Sequence, residues 1–197
     1  MSQERLIQQG AFRHCKVSFG LFGASLGVYN QNVNSAHKGD PLMNQQDLFE
    51  ELHGLRRSFA KLLTQMPPHA EDWQPRENMW KLWDLANHIA QIPATDTAIA
   101  REATQPEVQA LEARLRATTV EGLLAAWDEG VATVEKHFGA MSHEEFETKT
   151  TKAFYGHAMP AKGWLLEIVT HTYHHRAMLH THLKLLGKPV DMSYIYC

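Results

Sequence analysis

The chain has 197 residues, 44% of them hydrophobic and 21% charged, with a net charge of −3, which suits one soluble globular domain with a sizeable core. The mild negative charge, with no basic run and no aromatic-basic interleaving, argues against a nucleic-acid partner. Cys15 and Cys197 sit near opposite ends without CxxC spacing, which argues against a disulfide framework or a thiolate zinc site, and thirteen histidines are the one compositional excess.

Residues 1–42 scatter glycine and asparagine, and the apolar stretch from Val17 to Val28 lacks helical periodicity and is too short to span a bilayer. Arg5, Arg13 and Lys16 precede it as in a secretory signal, but its glycines and the lack of a small-x-small cleavage site weigh against one. Met43 resembles an ordinary domain start. The reading is an irregular N-terminal extension over 1–42 and one domain over 43–197.

From Met43 the pattern is helical. Leu48, Leu52, Leu55, Phe59, Leu62 and Met66 make one stripe, and Pro67-Pro68 ends that helix. After a loop with Trp73 and Pro75, a second helix is predicted from near Asn78, carrying Leu82, Trp83, Leu85, Ala86, His88 and Ile89, with Pro93 kinking or ending it. Thr118 with Glu121 suggests a capping box for a third helix along Val120, Leu124, Trp127, Val131, Val134 and Phe138. Ser142 with Glu145 suggests an extra turn, residues 147–159 read as an irregular loop, and a last long helix ends at Gly187 and Pro189. Nothing reads as a strand. Four amphipathic helices predict an all-α four-helix bundle, an architecture that builds metal sites from inward side chains on facing helices.

The last helix carries the strongest chemical signal. Its inward stripe runs Trp164, Ile168, His171, His175, Met178 and His182, so His171 and His175 stack on one face a turn apart, where two imidazoles can share an ion. Two inward imidazoles need partners for four ring nitrogens, and a bound cation supplies some of them. A zinc-like site needs a third ligand, and His88, flanked by apolar residues on the second helix, is the best candidate; a satisfied core or boundary histidine stays open as its other reading. His174 and His180 read as solvated, His182 as packing, and His157 as facing water. Arg176, beside His175, could hold an anionic substrate or cofactor group, the commoner alternative being a surface arginine.

Asp72-Trp73-Gln74-Pro75, His88 and His171-x-x-x-His175-Arg176 together resemble the DinB family, within the DinB/YfiT-like group, over roughly residues 44–190. The resemblance implies a four-helix bundle in which His88, His171 and His175 bind a divalent metal, nickel or zinc, with water completing the coordination. Many members read His-His-Arg-Gly-Gln where this chain has His174-His175-Arg176-Ala177-Met178, which keeps the ligands and replaces the Gly-Gln pair. It also implies transferases and isomerases that use low-molecular-weight thiols.

Three imidazoles leave an open coordination position for water or a substrate atom. The leading reading is therefore a metal-dependent enzyme activating a small thiol for attack on an electrophilic small molecule. Two others stay open: a hydrolase using Asp84 or Glu167 as base, and a non-catalytic, stress-related metal-binding bundle. The expected setting is cytoplasmic, with a small-molecule substrate, no nucleic acid, no membrane, and a homodimer as one assembly to test.

Overall fold

The computed structural model describes residues 44–196 except 68 and 71, so the expected extension over 1–42 and the boundary at Met43 lie outside the described residues. The elements are α1 (Gln45–Leu63), α2 (Leu82–Ala100), α3 (Gln105–Leu115), α4 (Val120–Gly139), α5 (His143–Thr148), β1 (Thr150–Lys152), β2 (Ala158–Pro160) and α6 (Ala161–Leu185), followed by a short 3-10 turn. The protein is all-α, as expected, and α1, α2, α4 and α6 form the four-helix bundle. Among the described residues no helix is long and apolar enough to cross a membrane.

Side-chain pairs fix the helix directions. His53 and Arg56 of α1 meet Glu135 and Asp128 of α4, so these helices are antiparallel. Glu51 and Ser58 of α1 meet Tyr173 and Arg176 of α6, so these are parallel. Asp96 of α2 meets His171, while the carbonyl of Trp80, just before α2, meets His182, so α2 runs against α6. The segment through α3 then returns the chain so that α4 starts beside the same end of the bundle as α2.

Local chemistry sets the helix ends. Asn44 caps α1 by accepting from Asp47 N, and the Asp47 carboxylate accepts from Asn44 N in return, a reciprocal box. Below it Leu48, Leu52, Leu55, Phe59 and Leu62 are buried, as their spacing predicts. Thr119 caps α4, one residue after the expected Thr118, by accepting from Gly122 N. The Ser142 and Glu145 box forms as expected at α5.

Four expectations are corrected. The second helix starts at Leu82, because residues 72–81 fold back as a loop in which the Trp73 carbonyl accepts from Leu82 N. Pro93 does not end it: the helix continues to Ala100, with Thr97 Oγ1 donating to the Pro93 carbonyl at 2.6 Å. Gly130 of α4 lies against this turn, where a Cβ would sit 2.9 Å from Ala94 N and 3.0 Å from Pro93 Cβ, so only glycine lets α4 close over the proline. The helix α3 was not anticipated, since only Val108 and Leu115 of it are fully buried and no stripe results. Residues 150–160 form a hairpin, not an irregular loop, with Thr150 opposite Pro160 and Gly156 at φ +94° turning the chain between the strands.

Candidate metal centre

The three histidines singled out in the sequence converge. His88 from α2 and His171 and His175 from α6 each offer a ring nitrogen, and all three nitrogens lie within 4.8 Å of one another. His88 Nε2 and His171 Nε2 are 3.3 Å apart. Two nitrogens sharing one tetrahedral ion at bonds of about 2.1 Å stand roughly 3.4 Å apart, so this pair already has the spacing of a chelate.

Tautomers are set by the partners. His171 Nδ1 faces Asp96 Oδ2 at 2.8 Å and donates to it, which leaves the lone pair of Nε2 directed at His88. A carboxylate behind a ligating imidazole fixes ring orientation and raises its basicity. His175 is buried, and its Nδ1 has no hydrogen-bond partner. Burial, reinforced by the neighbouring imidazoles, holds His88 down to about 4 and His175 down to about 3, so both rings are neutral at neutral pH, the form that binds metal. Burial also opposes charge on His171, but the hydrogen bond and charge of Asp96, with Glu167, outweigh it and raise His171. Three clustered imidazoles, two of them held neutral and one backed by a carboxylate, fit a borderline divalent cation.

Trp80 covers the cluster. Its ring stacks on His88 with centroids 5.1 Å apart and meets His175 edge-on at 5.9 Å. The Asp72 to Pro75 segment helps hold this loop: Asp72 pairs with Lys81, and the Trp73 ring meets His182 edge-on at 6.0 Å. His182, read as packing, is buried and lies 3.2 Å from the Trp80 carbonyl through Nε2 and 2.9 Å from the Met178 carbonyl through Nδ1.

The remaining sequence candidates sort cleanly. His174 and His157 are exposed, as expected. His180 is buried, not solvated, a correction that reflects its position on the face of α6 shared with Thr172 and Arg176. Arg176 is buried as well, not on the surface: its Nη1 donates to Ser58 Oγ and to the Ile195 carbonyl, each at 3.0 Å, and the guanidinium lies over the Tyr173 ring. Asp84, a candidate base, pairs with Arg116. Two residues of the site were missed, Asp96 and Trp80. Asp96 had a signal: it lies eight residues after His88, two turns on, and so shares its face. Trp80 had none, because a loop has no period.

The sequence profile of the DinB superfamily matches residues 51–179. Among curated proteins nothing matches. Among solved structures, a protein assigned to the DinB family from Exiguobacterium sibiricum 255-15 is similar at 25% identity and TM-score 0.65, over 76% of this chain and 96% of that one. A DinB-like protein from Bacillus cereus ATCC 10987 shares the fold at 16% identity and TM-score 0.59, over 75% of this chain and 95% of its own. With the profile covering His88, His171 and His175, the chain belongs to the DinB superfamily.

Proposed function

We propose that the protein is a divalent-metal-dependent enzyme that transfers a low-molecular-weight thiol to an electrophilic small molecule, with His88, His171 and His175 as the metal ligands. The observation that carries this reading is the convergence of three imidazole nitrogens within 4.8 Å, with Asp96 behind one of them. A divalent ion held there, zinc or nickel by the chemistry of the donor set, supplies Lewis acidity that favours the deprotonated form of a thiol or a water.

The chain's own groups divide the remaining tasks. Asp96 keeps the proton of His171 on Nδ1, away from the shared centre. Trp80 shields the His88 side from water. Burial, with the charges of Asp96 and Glu167, raises the Tyr155 phenol above its ordinary value, so it stays protonated at neutral pH. Arg176 acts as a strut to α1. Thiol transfer requires no separate nucleophile from the protein, consistent with Asp84 and Asp96 both being engaged elsewhere. Hydrolysis is the second reading, favoured by one feature: Glu167 lies one turn before His171 and is close enough to influence its protonation.

One experiment separates these. Purified protein is analysed for metal, then given an electrophilic ester with and without a small thiol, with His175→Ala as the control. The proposal expects a thiol conjugate whose yield follows metal occupancy and is lost in the variant. Thiol-independent hydrolysis lost in the variant would replace it with the hydrolase reading, and no turnover across a panel of electrophiles would leave a metal-binding bundle.

A further inference from the structure

We propose that a cavity separate from the histidine cluster binds a small oxyanionic ligand carrying a phosphate or carboxylate group. The cavity holds about 230 Å³ where the ends of α2 and α4 meet the hairpin and the start of α6, which suits a small metabolite better than a nucleotide. Arg101, His137 and Lys149 line it, with Phe138, Thr151 and Trp164 completing the apolar and polar walls.

Its charge is unbalanced in favour of an anion. Arg101 and Lys149 are exposed, and neither has an ion-pair partner among the described residues. The single acid in the lining, Glu102, has its Oε1 engaged by Lys152 N at 3.0 Å, which leaves two cationic side chains against one carboxylate. Glu102 stands at φ +64° as the left-handed residue that closes α2, with Glu102 N donating to the Ile99 carbonyl and Ala103 N to the Ala98 carbonyl, so the turn beside the cavity is fixed by its own backbone bonds. The Ala100 carbonyl, which would repel an anion at the end of α2, already accepts from Thr151 Oγ1 at 2.8 Å.

Two further features point to a ligand. Trp164 is 1% exposed, and its indole Nε1 is a buried donor with no hydrogen-bond partner, a group whose burial costs free energy until an acceptor reaches it. The 25-residue helix α6 begins here at Ala161 with no side-chain cap and no acid in its first turn; Ala161 N donates to the Lys149 carbonyl at 3.0 Å, and the positive end of the helix has no carboxylate of its own to offset it. His137 is lowered first by burial and then by the charges of Arg101 and Lys149, in keeping with its place beside them in the lining.

Inorganic phosphate is the probe. Titrated into the full chain at constant ionic strength, with chloride as the reference, it is expected to shift the Trp164 indole N–H resonance saturably and to move the titration of His137 upward. Arg101→Gln and Lys149→Gln, both at exposed positions, are each expected to weaken binding by about tenfold, and the double variant to abolish it while keeping the helical spectrum. His175→Ala is expected to bind phosphate as the parent does, which separates this cavity from the metal cluster. A shift that never saturates, a double variant that binds like the parent, or loss of binding in His175→Ala would each overturn the proposal.

Discussion

Between α1 and α4 the bundle closes over Leu52, Leu55, Phe59, Trp127, Val131 and Val134, all buried, with Phe59 and Trp127 in ring contact at 5.8 Å. Polar groups stay on the rim of that seam, as the pairs His53 with Glu135 and Arg56 with Asp128. Between α2 and α6 the same bundle holds three histidines and Asp96 behind an aromatic cover. An apolar seam contributes cohesion in proportion to the area it removes from water, whereas inward imidazoles cost desolvation unless each nitrogen finds a partner. The difference sets an apolar seam between α1 and α4 against a seam between α2 and α6 that adds the candidate metal ligands to its apolar core.

Truncating each seam in turn tests this division most severely. Trp127→Ala is expected to lower stability by about 3–5 kcal/mol through cavity formation, read as a fall in the denaturation midpoint, while metal binding by the folded fraction persists. His175→Ala is expected to abolish metal binding but to leave the metal-free protein within about 1 kcal/mol of the parent, since it removes a buried group with an unpartnered nitrogen. Equal destabilisation by the two would mean that the seams are not specialised.

A smaller effect is expected behind the cluster. Asp96→Asn keeps the shape but removes the charge facing His171 Nδ1. Metal affinity should fall about 10–100-fold, measured by competition with a chromophoric chelator, with the helical spectrum unchanged. Undiminished affinity would show that His171 is oriented by packing alone.

Acid should act on the α2–α6 side. In the metal-free protein His88 and His175 are held at about 4 and about 3, below the ordinary value near 6.5, so the unfolded chain binds more protons across that interval. The stability they contribute is therefore present above about pH 6.5 and is lost as pH falls toward 4. His171, raised above its ordinary value, works in the opposite sense, its contribution being complete below about 6.5 and fading above. Melting temperature should drop between about pH 6.5 and 4.5, and less steeply in His175→Ala. An identical slope in that variant would move the origin of the effect elsewhere.

Much of this was legible because both seams are written in a helical period. The α1 stripe and the α4 positions Trp127, Val131, Val134 and Phe138 are buried where their spacing placed them, and the same period put His171 and His175 side by side. The features that escaped depend on neighbours distant in sequence. Pro93 looks like a helix end until Gly130 of another helix is found packed on it. The helix α3 buries too little to show a stripe, although Thr104 with Glu107 and Pro106 mark its start. Arg176 reads as a surface residue because its burial comes with contacts to Ser58 of α1 and the Ile195 carbonyl near the chain end, which no periodicity within α6 reveals.

Whether the three histidines hold one ion is decided by titrating metal-stripped protein with zinc and, separately, nickel, with stoichiometry read by elemental analysis after desalting. Variants His88→Ala, His171→Ala and His175→Ala are run beside His174→Ala, whose exposed ring meets His175 edge-on at 4.8 Å but is not one of the three converging ligands. One ion per chain is expected in the parent and in His174→Ala, and none retained by the other three. Retention of a full equivalent by any of those three, or its loss in His174→Ala, would contradict the assignment of His88, His171 and His175 as the metal ligands.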